Sequence, residues 1–323
     1  MNYEINVIFS CGVEAFLPAV DVWLVVDVLR ATSVITRWFE IGGAELFPVK
    51  STDEARELTR TFKNSARNPI LMGEVNGIPP EGFDLGNSPS DLNPSNVKSH
   101  DCAVMSTTNG TVALNEAAST GSPVIAASLR NYSAALDHAL TFGSKIGIMC
   151  SGRKRSPSWD DTLCAGAIIK RLQELLAQKN LDDPEHTRKI FMSDSAKISL
   201  LVWESGESNL LTCIKRSEHA IYLERIGYAN DLEFCCQLDA ATVVPMLFTD
   251  ERGRNFLKSV SGNANPYRKS QIQNSIANSN PNSNSNPNPE NSNLKFEELL
   301  TYTKSTTAKP ENYFFINKGK NKK

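Results

Sequence analysis

Val22-Trp23-Leu24-Val25-Val26-Asp27-Val28-Leu29-Arg30-Ala31-Thr32-Ser33 is the stretch that decides the fold class. Five apolar residues run without alternation into an acid, an arginine and two hydroxyls. A strand that is apolar on both sides of its pleat must be covered on both faces. The spacing predicts a strand over 23–27 and a helix over 31–41, which Gly42-Gly43 stops as C-cap material. Asp27 interrupts the apolar run at 22–29, which is far short of the roughly 20 residues a membrane span needs. The N-terminus has no basic region of the kind that opens a secretion signal.

The same grammar repeats outward from this unit. Strands are predicted over 44–49, 102–106, 124–127 and 145–150. Each leads through Ser, Thr, Asn, Asp or Gly into a helix. Ser51-Thr52-Asp53-Glu54 has capping-box spacing; helices are expected over 111–119, from Asn131 through Phe142, and over 159–178 behind Ser158. Strands alternating with helices argue for a three-layer α/β/α fold with a largely parallel sheet. Right-handed crossovers would put every strand-to-helix loop on one edge, where ligands of such sheets bind. Later, 194–204 and 209–227 read as helices and 232–238 as a strand, and Val243-Val244-Pro245-Met246 reads as the end of the body.

The composition is that of a globular protein: 323 residues, 40% hydrophobic and 22% charged. The formal net charge of −2 gives no overall pull toward nucleic acid or membrane. Its distribution is uneven. Residues 1–260 carry 25 basic and 32 acidic side chains, and 261–323 carry nine and four. Residues 261–292 hold ten Asn, seven Ser and four Pro, too little apolar surface to offset ordering entropy. Two parts are therefore expected: an α/β domain over 1–260 and a disordered tail over 261–323, with a short helix near 294–302 and a sticky Tyr313-Phe314-Phe315-Ile316. Seven cysteines without a C-x-x-C pair suggest neither a disulfide framework nor a zinc site. A cytoplasmic setting is the simplest expectation, and the composition leaves a homo-oligomer open.

Chemistry-bearing residues collect at the predicted strand ends. Thr107-Thr108-Asn109-Gly110-Thr111 is a small-residue turn opening a helix, suited to an oxyanion. Arg30 and Arg153-Lys154-Arg155 offer charge-assisted hydrogen bonds to the same kind of anion. Asp27, Glu74, Asp84 and Asp161 are hard oxygen donors of the sort that hold Mg²⁺. Together they would make a metal-assisted phosphoryl site. Other chemistries fail on spacing. No G-x-x-x-x-G-K-[ST], H-E-x-x-H or G-x-S-x-G occurs. Asp27-Val28-Leu29-Arg30-Ala31 lacks the second carboxylate of Asp-nucleophile phosphatases. Ser156 stands where the Cys-x₅-Arg pattern counted from Cys150 needs arginine. The four His, at 100, 138, 186 and 219, form no metal-spaced pair.

In this order, five blocks resemble the 2-phosphosulfolactate phosphatase family. They are 27–33, Gly73-Glu74 with Gly77, the string from Pro80 through Gly82-Phe83-Asp84-Leu85-Gly86-Asn87-Ser88-Pro89, 107–111, and Cys150-x-Gly152 with Asp161 and Ala165-Gly166. A weaker late block is Ser217-Glu218-His219 with Gly227-Tyr228, Asp231 and Val244-Pro245. The resemblance covers about residues 3–250. It implies an α/β/α fold and a Mg²⁺-dependent acid phosphatase. The reaction it implies takes (2R)-2-phospho-3-sulfolactate to 3-sulfolactate and phosphate, in coenzyme M biosynthesis. It also implies roles. Asp27, Glu74, Asp84 and Asp161 divide metal binding and water activation, and Arg30 acts with them. Residues 107–111 cradle one anionic group. Arg30 and Ser33 contact another, Asn87 and Ser88 orient ligating groups, and Cys150 and Arg153 border the substrate. Arg30, Arg130, Arg153 and Lys154 are the cations available to a pocket for a small, strongly anionic phosphorylated substrate.

Three departures stand out. Ser151 and the bulky Arg153-Lys154-Arg155 replace small residues after the cysteine, Trp159-Asp160 replaces Leu-Glu before Asp161, and Ala220 replaces Gly. Two other readings stay open: a phosphatase of another small anionic phosphoester, and a non-catalytic anion-binding or partner-docking protein.

Overall fold

The computed structural model describes residues 2–13 and 16–260, all within one compact unit. The expected tail, its short helix and the Tyr313 peptide lie outside the described residues.

Among the described residues, ten strands form one sheet. They are β1 (Tyr3–Ile8), β2 (Val22–Val26), β3 (Leu46–Val49), β4 (Pro69–Gly73), β5 (Cys102–Ser106), β6 (Val124–Ala127), β7 (Lys145–Cys150), β8 (Ile190–Met192), β9 (Val244–Thr249) and β10 (Asn255–Val260). The described residues also form the α-helices α1 (Ala31–Glu40), α2 (Thr52–Asn64), α3 (Pro94–Lys98), α4 (Gly110–Ala118), α5 (Tyr132–Ala139), α6 (Trp159–Asp182), α7 (Asp194–Gly206), α8 (Leu210–Ile214), α9 (Glu218–Arg225) and α10 (Ala229–Cys235).

The sheet order is β4-β5-β3-β10-β9-β6-β2-β7-β1-β8. Two parallel blocks, β4-β5-β3 and β6-β2-β7-β1-β8, flank the antiparallel β9–β10 hairpin. The hairpin is antiparallel to both neighbours, at Leu257↔Leu46 and Ile125↔Met246. The two blocks therefore run in opposite senses, which corrects the expectation that all strand-to-helix loops share one edge. The loops after β2, β4, β5 and β7 nevertheless meet. Sheet twist of about 20–25° per strand, accumulated over the five steps from β5 to β2, turns opposed directions toward one another.

All five β2 residues are buried, and they alternate between two cores. Val22, Leu24 and Val26 pack in a cluster with Leu136 of α5 and Ile168 of α6. Trp23 and Val25 face Ile35 and Trp38 of α1 and Leu114 of α4. This second cluster runs along the sheet from β4 to β1, taking in Ile70, Met105, Leu46, Leu257 and Ile8. On the far face of the smaller block, α2 is fixed by Phe62, whose ring meets Phe47 edge-on at 4.8 Å. The result is helix, sheet, helix, as the strand grammar predicts.

Three local expectations are corrected. Residues 232–238 are not a strand, because Asp231, Leu232 and Cys235 are buried at helical spacing on α10. The apparent alternation of Leu232, Phe234, Cys236 and Leu238 misleads. Residues 209–227 form two helices, since Ser217 caps α9 by accepting the Ala220 amide at 2.9 Å. The body extends past Met246 through the hairpin that closes the sheet. The expected cap Ser51 does accept the Glu54 amide. Asn131 instead turns back to accept from the Ser128 amide and hydroxyl.

Candidate active site

Asp27 follows β2 directly. The Thr32 hydroxyl accepts the Asp27 amide and donates to its carbonyl, so the corner staples itself. Asp27 Oδ1 accepts the Ala31 amide at 3.1 Å. Its Oδ2 lies against Gly110 at the start of α4, where a Cβ would stand 2.5 Å away. Asp161, in the first turn of α6, reaches the same corner. Its Oδ1 accepts the Val28 amide at 2.8 Å, and its Oδ2 accepts the Gly152 amide and the Ser151 hydroxyl at 3.0 and 3.1 Å. Asp160 beside it is buried, with Oδ1 held by the Ser158 hydroxyl at 2.6 Å.

These three carboxylates act on one another. Burial, then the negative charges of Asp160 and Glu74, push Asp27 up to about 7 against the Ala31 and Ser151 donors. Burial and the charges of Asp160 and Asp27 push Asp161 well above the usual carboxylate range, against its three donors. A carboxyl poised near 7 is suited to accept a proton at neutral pH.

Glu74, after β4, joins two further loops. Its Oε1 accepts the Thr108 amide at 2.7 Å, and its Oε2 accepts the Gly77 amide at 2.6 Å and the Thr108 hydroxyl at 3.2 Å. Within the 107–111 turn the roles divide. Thr107 and Thr111 satisfy each other, each accepting the other's amide on its hydroxyl. Thr108 and Asn109 line a cleft, and Gly110 backs Asp27. Asn109 makes no side-chain cap; Thr107 takes the Thr111 amide in the first turn of α4 instead, and the Asp27 carboxylate sits against Gly110 at its positive end.

The cleft has two lobes. The smaller, about 140 Å³, lies between Glu74, Gly77, Thr108, Asn109 and Tyr222. The larger, about 530 Å³, lies between Trp159, Asp160, Arg216 and Ser217. Arg153, Lys154 and His219 line both. Burial pulls the His219 imidazole below its ordinary range, and Asp160 opposes this.

The structure thus brings together Asp27, Glu74, Asp161, Thr108, Asn109, Gly110 and Arg153. It places other expected residues elsewhere. Arg30 donates to Asp231 at 2.8 Å and to the Gly77 carbonyl at 2.8 Å, with Tyr228 stacked on its guanidinium at 4.2 Å. It positions the Glu74–Gly77 loop rather than facing the cleft. Ser88 donates to Asp231, and Ser33 donates to the Val28 carbonyl. Asn87 is buried in the same region. Asp84 is exposed on the outer edge of β4, where its carboxylate accepts the Leu71 amide. Cys150 is enclosed in the core and burial drives its thiol well above the ordinary range, so it borders no cleft. Arg130 is buried on Glu40, Gln237 and the Phe234 ring. Sequence reasoning missed Asp160, His219, Tyr222 and Arg216 as cleft residues. The signal for His219 was the Ser217-Glu218-His219 block, whose serine caps α9.

Among the described residues no three His, Cys, Asp or Glu side chains converge as a metal site. Glu74 and Asp161 have both oxygens engaged by protein donors, which leaves Asp27 and Asp160 as the carboxylates open to a cation. Mg²⁺ commonly binds through one or two carboxylates, substrate phosphate oxygens and waters rather than an all-protein cage. A buried group of mutually repelling carboxylates fits that mode.

No helix among the described residues is long and apolar enough to cross a membrane. A family model described as 2-phosphosulpholactate phosphatase matches residues 14–250. A probable 2-phosphosulfolactate phosphatase of Caldanaerobacter subterraneus subsp. tengcongensis is 38% identical over 224 residues, 69% of this chain and 86% of that protein. One from Pseudothermotoga lettingae is 35% identical over 230 residues, 71% and 90% of the two chains. One from Deinococcus radiodurans is 34% identical over 228 residues, 70% and 88%.

Proposed function

Because the chain belongs to the 2-phosphosulfolactate phosphatase family, we propose that it hydrolyses (2R)-2-phospho-3-sulfolactate to 3-sulfolactate and phosphate, a step toward coenzyme M. The observation that carries this reading is Asp27. It is buried where β2, α1, α4 and α6 meet, its Oδ1 is fixed by Ala31, and it is pushed up to about 7. That is the placement of a base held ready for one proton.

The anionic substrate enters beside Thr108 and Asn109, where Arg153 and Lys154 favour its negative groups. Asp27 takes the proton of the attacking water. The departing sulfolactate oxygen takes its proton from water in the open cleft, and His219, which lines both lobes, would donate a ring N–H hydrogen bond to it. Asp161 and Glu74 hold the loops after β2, β4, β5 and β7 in register, so the anion site is formed before substrate arrives. Asp160, through the oxygen that Ser158 leaves open, would hold Mg²⁺ beside substrate and water oxygens, and the ion when bound would neutralise phosphate oxygens and lower the pKa of a coordinated water.

The test is phosphate release from phosphosulfolactate with and without Mg²⁺, beside phospholactate as the sulfonate-free control. Mg²⁺-dependent turnover favouring the sulfonate supports the reading. Equal turnover of both esters removes the sulfonate assignment, and no release from either removes the phosphatase.

A further inference from the structure

The loop after β7 is strained. Lys154 and Arg155 have φ of 53° and 59°. Arg153 and Ser156 exchange amide–carbonyl hydrogen bonds across them at 2.9 and 3.0 Å. This is a two-residue turn with both central residues left-handed, the type I′ geometry that favours Asn-Gly. Bulky cationic residues at such positions carry a conformational cost, and strain of this kind gathers at functional sites.

The turn faces something. Lys154 lines both lobes of the cleft. Across the larger lobe stand Arg216 and the flat face of Trp159, which is 39% exposed although large and apolar. Arg153 meets the exposed Glu218 carboxylate at 3.7 Å and the Tyr222 ring at 5.3 Å. Among the described residues, Lys154 and Arg216 have no ion-pair partner. The two departures noted in the sequence are far apart in character, yet Arg153 and Lys154 of the first and Trp159 and Asp160 of the second border one cavity. At about 530 Å³ that cavity exceeds what a three-carbon acid fills.

We propose that the larger lobe is a second anion subsite. It would suit this chain to phosphomonoesters whose alcohol carries a second strong anion on a flat apolar body, with phosphosulfolactate as the short member of the class. This rests on the phosphatase reading above. The phosphoryl end would sit between Asp27, Thr108 and Asn109. The distal anion would meet Lys154 and Arg216, and the flat body would lie on Trp159.

The test exploits the strain. The double substitution K154N/R155G installs the pair the turn prefers, so Tm rises or holds while two cations are lost. Phosphate release from 4-sulfophenyl phosphate and from phenyl phosphate gives a preference ratio in kcat/KM. Comparing that ratio between the double variant and the parent cancels the leaving-group difference. The ratio is expected to fall about tenfold, the size of one charge-assisted contact, with R216A acting likewise. An unchanged ratio in both variants overturns the proposal. If the parent releases phosphate from no ester, phosphosulfolactate included, the phosphatase reading fails on its own. Calorimetric binding of 4-hydroxybenzenesulfonate then decides the subsite: weakening of about tenfold in the variants supports it, and equal or absent binding overturns it.

Discussion

Asp27 is costly to the fold, and its sign can be tested. Unfolded, it titrates near the ordinary 3.8; folded and metal-free, it is pushed up to about 7. Its share of stability is fully present below about pH 4 and is lost as pH rises through about 7. Asp27→Asn should therefore stabilise metal-free protein at pH 8 by about 1–4 kcal/mol, leave stability at pH 4 nearly unchanged, and abolish turnover. Thermal melts at the two pH values, with and without Mg²⁺, check this; Mg²⁺ should raise Tm of the parent more than that of the variant. Gly110→Ala puts a methyl 2.4 Å from Ala31 Cβ and 2.5 Å from Asp27 Oδ2. A loss of about 1–3 kcal/mol is expected, together with a drop in kcat larger than any change in KM. At this scale the sequence showed which residue types stand at strand ends, and so Asp27, Glu74 and Asp161. It did not show which carboxylates are already saturated by backbone amides. Asp84 and Ser33 share motifs with the cleft residues, but their polar atoms are spent on the chain itself.

Between elements, one buried ion pair joins parts of the chain about 200 positions apart. Arg30 at the start of α1 and Asp231 on α10 are both nearly inaccessible, and Ser88 and Ser90 complete the acceptor. Asp231→Ala leaves Arg30 buried without its counterion, at a cost of about 3–5 kcal/mol in urea unfolding. Because Arg30 also holds the Gly77 carbonyl, KM should rise in whatever enzyme still folds. A second contact is steric. At Gly166 a Cβ would stand 2.1 Å from the Ser199 carbonyl, so α6 and α7 touch by backbone. Gly166→Ala should cost about 1–3 kcal/mol, read as a lower Tm. The helices α1, α2 and α4 to α7 were legible from their apolar period, although of the expected caps only Ser51 takes an amide of its helix; α3 was not foreseen. The stretch from 207 to 238 was not, since its short helices are fixed by packing on the larger core rather than by their own pattern.

For the molecule as a whole, the sequence grammar revealed a covered, largely parallel sheet but not its reversal. Parallel strands and antiparallel ones can share the same apolar run, and only pairing shows that β9 and β10 enter between β3 and β6. Those two strands join the blocks through one registered pair on either side. A chain ended after Thr242 should therefore lose cooperative unfolding altogether, as circular dichroism melts would show. The same arrangement bears on synthesis. Translation delivers β3 and β6 long before the hairpin that separates them, so a nascent chain of some 240 residues presents two open strand edges at once. Such a chain would be adhesive until the last two strands join it, so slower synthesis of the hairpin should lengthen its exposure to its neighbours.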